Sequence, residues 1–279
     1  MNLPDAVITH NVVAMRAEPR SGSEQVSQAI LNDVCNRLED SGEYTRICTV
    51  DAYEGWVFRH HLALKSTRLP ETLTDADHSN IMLRVCAPIV DAYACSDASH
   101  LLTKLVFGTR LRRVNKPSER GFTTIVLSER LNALVSSQSV QAEEIVPAFS
   151  GDHACQMALK FIGTPYLWGG TTAFGFDCSG FVQRIYGAMN VILPRDAHQQ
   201  AASPLGTRLD TAIPAQAGDL VFFRGQTDPH QRGITHVGMA LDAQRFVHAV
   251  GKEGVIVTPF DDPYYVRQYT YCGAWRHEP

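Results

Sequence analysis

The chain has 279 residues, 44% hydrophobic and 19% charged, a composition typical of a globular protein with two or three domains. Its formal net charge of −4 argues against nucleic acid as a partner, and no apolar run approaches the roughly 20 residues of a membrane span. The N-terminus has no signal-peptide pattern. The seven cysteines form no C-x-x-C motif, which favours free thiols and a cytoplasmic location. An extracellular or periplasmic location would require a signal that had been removed.

Residues 5–64 alternate short apolar runs with turns rich in Pro, Gly, Ser and Asp, and this pattern predicts five short β-strands. A small closed barrel is favoured because closure removes the exposed sheet edges. The motif D-A-Y-E-G-W-V, with the segments before it, resembles the bacterial SH3-like domain. We therefore assign residues 1–68 to a first SH3-like barrel and expect Trp56 in its core.

Residues 81–147 are weakly similar to this first segment. Residues 83–88 (L-R-V-C-A-P) repeat the pattern of residues 14–19 (A-M-R-A-E-P), at an offset that indicates a duplicated module. We predict a divergent second SH3-like barrel over residues 69–148.

Residues 149–279 show helical patterns first and strand patterns afterwards. Apolar residues at positions 181, 182, 185 and 186 have helical spacing. Four strand-like runs follow, at residues 219–223, 235–241, 245–249 and 255–257. Helices followed by an antiparallel meander predict an α+β domain.

Cys178 lies where the helix over residues 181–186 should begin, directly after Asp177, which is a favourable N-cap residue. Unpaired backbone N–H groups and the helix dipole favour negative charge in a first helical turn. We therefore expect a lowered thiol pKa and a nucleophilic thiolate at Cys178. The alternative is a buried structural cysteine, which is what most lone cysteines are.

Two histidines lie on adjacent predicted strands, His236 and His248, joined by a short turn at residues 242–244. Their side chains can meet across the hairpin. A thiolate nucleophile needs a base, and the base needs a third group that orients it. We predict that His236 is the base and His248 the orienting residue, although either histidine alone would be interpreted as an ordinary strand residue.

Six motifs of residues 150–279 resemble the NlpC family of cell-wall peptide cysteine peptidases: Y-L-W-G-G, F-D-C-S-G-F-V, L-P-R-D-A-x-Q-Q, G-D-L-V-F-F, I-T-H-V-G-M and F-V-H-A. Together with the paired SH3-like segments, they narrow the resemblance to the YkfC-like γ-D-glutamyl-L-diamino acid endopeptidases. The resemblance implies a papain-like α+β domain over residues 149–279, with helices packed on an antiparallel sheet, preceded by two small SH3-like β-barrels.

The resemblance also implies catalytic roles. Cys178 would be the nucleophile, His236 the base and His248 the third catalytic residue. Tyr166 would donate to the oxyanion or contact substrate, although a half-buried aromatic residue is an equal alternative. No metal and no other cofactor would be needed.

Such enzymes cleave the bond between γ-linked D-Glu and L-Lys or diaminopimelate, and the subgroup holds the free amine of the preceding L-Ala. The positions matching the subgroup's substrate contacts are Glu24, Tyr53, Trp168, Asp177, Ser179, Arg195 and Asp196. An ammonium requires an anion and hydrogen-bond acceptors, which suits a carboxylate and a tyrosine hydroxyl. Arg195 has the charge to bind the D-Glu carboxylate. The alternatives are a solvated turn charge for Glu24, a simple helix cap for Asp177 and a surface position for Arg195.

We therefore expect a monomeric peptidase that recycles peptidoglycan-derived peptides with a free N-terminal L-Ala, without nucleic acid or membrane insertion. One alternative is a secreted or injected lysin acting on intact cell wall. A second is a catalytically inactive module that binds cell-wall peptides, and an acyltransferase of related fold is more distant.

Overall fold

The structure is a computed structural model that describes residues 4–64, 78–115, 121–128, 131–145, 148–225 and 233–278. The chain divides into two units. The first comprises Met1–Val50 and Glu54–Val146, and the second comprises Asp51–Tyr53 and Pro147–Pro279. The expected boundary between residues 68 and 69 lies outside the described residues, so the three-domain division stays a prediction.

Seven antiparallel strands form the first sheet of the first unit, in the order β3-β2-β6-β5-β4-β1-β7. Their bounds are β1 Ala6–Ile8, β2 Val12–Arg16, β3 Gln25–Ile30, β4 Val34–Ser41, β5 Tyr44–Thr49, β6 Glu54–Phe58 and β7 Leu62–Leu64. The five predicted strands correspond to β2 to β6. The other two were not predicted, because three residues are too few to show the alternation that identifies a strand.

Trp56 differs from expectation, because it is only partly buried. Successive side chains of a strand point to opposite faces, and in β6 the buried positions are Gly55 and Val57. Gly55 lies against the neighbouring strand so closely that a Cβ atom there would be 2.9 Å from Met15 Cβ. The expected place of Trp56 in the core is therefore wrong, and Val13, Met15 and Val57 are among the residues that fill it.

A second seven-stranded antiparallel sheet in the first unit has the order β10-β9-β13-β12-β11-β8-β14. Its strands are β8 His78–Val85, β9 Ile89–Ala94, β10 Asp97–Val106, β11 Arg110–Val114, β12 Phe122–Ser128, β13 Leu131–Ser136 and β14 Val140–Ala142. This order reproduces that of the first sheet with every strand number raised by seven. The shared topology supports the predicted duplication, while the assignment of both sheets to SH3-like barrels stays a prediction.

The two sheets meet around the turn after β3. Leu31 belongs to the same buried cluster as Leu83 and Leu111 of the second sheet. The Asn32 side-chain amide donates to the backbone carbonyl of Arg110 at 2.8 Å. Apolar burial and a hydrogen bond thus join the two sheets within the first unit.

The second unit contains four helices, a two-stranded sheet β15-β16, and a six-stranded antiparallel sheet in the order β17-β22-β18-β19-β20-β21. The helices are α1 Gly151–Leu159, α2 Cys178–Gly187, α3 Ala197–Ala201 and α4 Pro263–Gln268. The strands are β15 Thr171–Thr172, β16 Gly175–Phe176, β17 Gly206–Leu209, β18 Leu220–Gly225, β19 His236–Ala240, β20 Arg245–Val250, β21 Gly254–Pro259 and β22 Tyr269–His277. The four predicted strands correspond to β18 to β21.

Helix α2 packs against β19 and β20 through the apolar face that its sequence spacing predicted. Phe181, Val182, Ile185 and Tyr186 are fully buried on that face. Each such side chain contributes roughly 1.5–3 kcal/mol of burial free energy, which fixes the helix on the sheet. Within the described residues, no helix has the length and hydropathy required to cross a membrane.

Candidate active site

Cys178 is the first residue of α2, as predicted, and Asp177 caps the helix. The carboxylate of Asp177 accepts the backbone N–H of Gly180 at 2.7 Å, which satisfies one of the unpaired donors of the first turn. Gly180 itself sits against the backbone of the preceding loop, since a Cβ atom there would lie 2.2 Å from the Gly170 carbonyl oxygen. The loop and the helix start are therefore held together, and they fix the position of the thiol.

The Cys178 thiol is buried, and its pKa is raised rather than lowered as expected. The backbone N–H groups of Val237 and Ser179 and the charge of Arg195 favour the thiolate. Burial and the Asp177 carboxylate oppose it, and burial is the larger effect, so the pKa of Cys178 is raised to about 12. The expectation of a lowered thiol pKa from the helix terminus is wrong because that argument did not include desolvation.

His236 and His248 lie diagonally across the β19–β20 hairpin, in which Met239 pairs with Val247. His236 Nε2 and His248 Nδ1 are 2.8 Å apart, so the predicted meeting of the two side chains is confirmed. Both rings are buried, and burial lowers the pKa of His236 to about 3. Burial also lowers the pKa of His248, and the neighbouring His236 adds to that effect. Because Nε2 of His236 is engaged, Nδ1 is the nitrogen left to receive a proton from a thiol.

The opposite pKa shifts of Cys178 and His236 predict a neutral thiol and a neutral imidazole in the substrate-free protein. A raised pKa keeps the proton on sulfur at every pH well below about 12. We expect the absorbance at 240 nm, taken as wild type minus Cys178→Ala, to show no thiolate step between pH 5 and 9. A step in that range would instead indicate a preformed thiolate–imidazolium pair. The difference spectrum removes the contribution of the tyrosines.

Aromatic side chains surround the histidine pair, and sequence reasoning did not identify them. The Tyr265 and Tyr269 rings are stacked with centroids 4.5 Å apart. Tyr265 lies 5.1 Å from the His248 ring, and Tyr269 lies 5.4 Å from the His236 ring. The Tyr265 hydroxyl is buried with no hydrogen-bond partner among the described residues. These rings exclude water from the imidazoles, which is why the pKa values of both histidines fall.

Tyr166 is half-buried, and its phenol is close enough to Cys178 for the two groups to interact electrostatically. Burial raises the pKa of Tyr166, with Cys178 and Asp177 adding to the effect. The phenol therefore stays protonated and can donate a hydrogen bond. Its role as an oxyanion donor stays a prediction.

Arg195 is 1% exposed, so the alternative of a surface position is wrong. Its two Nη atoms donate to the two carboxylate oxygens of Asp177, and Nη1 also donates to Ser179 Oγ at 2.9 Å. Asp177 is thus both the helix cap and the partner of a buried arginine. The predicted contact of Arg195 with a substrate carboxylate stays a prediction.

Asp196 is the N-cap residue of α3 and forms a capping box with Gln199. The Tyr53 hydroxyl donates to the Asp196 carboxylate, and burial, with Asp196 as the next contribution, raises the pKa of Tyr53 to about 12. The adjacent Asp51 carboxylate accepts from Gln183 Nε2 of α2 at 2.8 Å. Residues 51–53 are therefore anchored to both α2 and α3 within the second unit.

The remaining predicted substrate contacts are less enclosed. Trp168 is 62% exposed in the loop before α2. Glu24 is exposed and belongs to the first unit, and its role stays a prediction. The other predicted site residues lie in the second unit: Tyr53, Tyr166, Trp168, Asp177, Cys178, Ser179, Arg195, Asp196, His236 and His248.

Comparisons with known proteins show which family the C-terminal part of the chain is similar to. Residues 163–276 match the model of the NlpC/P60 family. A γ-D-glutamyl-L-lysine dipeptidyl-peptidase of Bacillus cereus is 24% identical over 91% of this chain and 75% of its own length. A protein of the same name from Bacillus subtilis is 31% identical over 74% of this chain, which spans 64% of that relative. A crystal structure of an NlpC/P60 family protein from B. cereus covers 99% of this chain with a TM-score of 0.80 and 21% identity. These matches confirm the papain-like fold expected for the C-terminal part.

Proposed function

We propose that this chain, whose residues 163–276 match the model of the NlpC/P60 family, is a cysteine peptidase that hydrolyses the γ-D-Glu–L-diamino acid bond of peptidoglycan stem peptides. The observation that carries the proposal is the 2.8 Å contact between His236 Nε2 and His248 Nδ1 beside the thiol-bearing start of α2. The names of the two Bacillus relatives support the substrate class.

The proposed reaction begins with proton transfer from Cys178 Sγ to His236 Nδ1 while sulfur attacks the γ-carbonyl carbon of D-Glu. The backbone N–H of Cys178 and the Tyr166 phenol donate to the oxyanion that forms. The imidazolium then gives its proton to the leaving amine, and a thioester remains on Cys178. Water, deprotonated by His236, hydrolyses that thioester and restores the thiol. Both groups start neutral, so charge separates only during attack.

We propose further that the enzyme selects peptides with a free N-terminal L-Ala, as a recycling peptidase in the cytoplasm would. The half-buried Tyr53–Asp196 hydrogen bond, close to the Asp177–Arg195 pair, supplies a carboxylate and a hydroxyl for an ammonium group. All seven cysteines are free thiols, which suits a reducing compartment. The repeated strand order and the D-A-Y-E-G-W-V motif support the assignment of both N-terminal sheets to SH3-like domains.

A paired cleavage assay tests these proposals. The substrates are L-Ala-γ-D-Glu-diaminopimelate with a free amine and the same peptide linked to N-acetylmuramic acid, with Cys178→Ala as the blank. We expect mass spectrometry to show cleavage of the free peptide only. Tyr53→Phe should raise KM for that peptide about 5- to 20-fold, because a hydrogen bond supporting recognition of a charged group is lost. Tyr93→Phe is the matched control, since Tyr93 also donates to an aspartate, Asp91, but in the first unit.

The other outcomes identify the alternatives. Comparable cleavage of both substrates would remove the free-amine argument and favour a lysin of intact wall. Cleavage of neither, by folded protein that still binds the free peptide, would favour an inactive binding module.

A further inference from the structure

Thr258 lies on β21 and extends the histidine pair by one more hydrogen bond. Its Oγ1 atom is 2.8 Å from His248 Nε2. Strand β21 pairs with β20 so that Thr258 is opposite Phe246 and Ile256 is opposite His248. Thr258 is buried, as is His248, so the hydroxyl meets the imidazole out of contact with solvent.

The observed contacts therefore run from His236 Nε2 to His248 Nδ1, and from His248 Nε2 to Thr258 Oγ1. In the proposed reaction the remaining ring nitrogen of His236, Nδ1, receives the thiol proton. Neutral histidine carries one ring proton, and its position decides what each neighbour must do. Two arrangements of the ring protons on His236 and His248 are consistent with these contacts, and only one of them allows His236 to act as a base.

In the first arrangement, His248 carries its proton on Nδ1 and donates it to His236 Nε2. Neutral His236 then has its own proton on Nδ1, so it presents an N–H group to the thiol and cannot act as a base. In the second arrangement, His248 carries its proton on Nε2 and donates it to Thr258. His248 Nδ1 then accepts from His236 Nε2–H, and the lone pair of His236 Nδ1 is free to take the thiol proton.

We propose that Thr258 is a positioning residue that selects the second arrangement by accepting the Nε2–H of His248. The proposal rests on the proposed peptidase function, in which His236 is the base. Thr258 does not touch the reacting atoms, and it acts through His248. When His236 becomes an imidazolium, its Nε2–H still donates to His248 Nδ1, so no proton on His248 has to move.

The surroundings of His248 leave the Thr258 hydroxyl as the acceptor for a proton on His248 Nε2. The centroid of the His248 ring lies 4.7 Å from that of Phe246 and 5.1 Å from that of Tyr265. Phe246 has no polar side-chain atom, and the buried Tyr265 hydroxyl makes no hydrogen bond to the imidazole. Without the hydroxyl, a proton on Nε2 would be buried and unpaired, whereas a proton on Nδ1 would still find His236 Nε2. Removal of the hydroxyl therefore favours the arrangement that blocks the base.

The test compares Thr258→Val, which keeps the shape of the side chain, with Thr258→Ser, which keeps the hydroxyl. We expect Thr258→Val to lower kcat on the free peptide roughly 10- to 100-fold with little change in KM, the effect of one lost buried hydrogen bond. Thr258→Ser should restore kcat to within about threefold of wild type. Thr123→Val is the matched control, because Thr123 is a buried threonine of the first unit whose hydroxyl bonds to Ser137.

Histidine-selective ¹⁵N NMR supplies a readout that needs no activity. In the wild type we expect His236 and His248 both to show the Nε2–H tautomer, and in Thr258→Val both should shift towards Nδ1–H. An unchanged tautomer pattern in Thr258→Val would overturn the proposal, even if activity fell, since the loss would then be structural. Unchanged kcat would overturn it as well. If the wild type cleaves no peptide, the proposed function fails, while the tautomer shift still decides the role of Thr258.

Discussion

Replacing Cys178 with alanine should lower kcat/KM for the free stem peptide by roughly 10⁴-fold or more, because in the proposed reaction its sulfur attacks the substrate and carries the thioester. Replacing His236 with alanine should lower kcat/KM about as much, since a neutral thiol with a pKa raised to about 12 needs the proposed base to accept its proton. Members of a catalytic unit lose activity together rather than additively. The variant that combines Cys178→Ala with His236→Ala should therefore have a kcat/KM no lower than that of either single variant. Release of L-Ala-γ-D-Glu, followed by mass spectrometry, measures the rates.

Cys95→Ser is the control for thiol loss in general, because Cys95 is an exposed cysteine of the first unit. It should retain wild-type kcat/KM. Cleavage by Cys178→Ala at more than a hundredth of the wild-type rate would contradict the assignment of the nucleophile. Thermal unfolding of each variant separates loss of chemistry from loss of fold.

Replacing Arg195 with methionine should lower the free energy of unfolding by about 3–5 kcal/mol, the cost of leaving a buried partner charge uncompensated. The side chain is 1% exposed and donates to both carboxylate oxygens of Asp177 and to Ser179. The Asp177 charge would then act on Cys178 without its counterion and disfavour the thiolate further. We expect kcat to fall in folded protein as well. Urea denaturation at pH 7 measures the stability.

Two further variants test whether the uncompensated charge of Asp177 causes the loss of stability in Arg195→Met. Asp177→Asn in the Arg195→Met background removes the unpaired charge and keeps a good helix cap, so the double variant should lose less stability than Arg195→Met alone. Arg245→Met removes an exposed pair with Asp242 and should change stability by no more than about 1 kcal/mol. A loss below 1 kcal/mol for Arg195→Met would show that the buried pair is not needed for stability.

Local sequence signals were sufficient for the start of α2, the Asp177 cap and the meeting of His236 with His248. Each of these depends on neighbouring residues, or on two strands joined by a short turn, whose geometry follows from spacing. The repeated strand order also left a trace in the sequence, as the similarity of residues 83–88 to residues 14–19.

Features that depend on burial or on contacts between distant elements could not be predicted from local sequence signals. The pKa of Cys178 depends on how deeply the thiol is buried, and the position of the cysteine at a helix terminus does not predict its burial. The pairing of Arg195 with Asp177 and the bond from Thr258 to His248 join elements whose distance in space is not encoded by a local pattern. Strand β22 has the sequence Y-T-Y-C-G-A-W-R-H, in which polar and aromatic residues hide the alternation.

The assignment of residues 51–53 to the second unit makes that unit discontinuous in sequence. A gene fragment that begins after residue 148 would encode Cys178, His236 and His248, but it would omit Asp51 and Tyr53, the partners of Gln183 and Asp196. Exchange of the N-terminal region between related genes would likewise replace part of the second unit. Recombination at the apparent domain border would therefore separate residues 51–53 from the contacts that they make in the second unit.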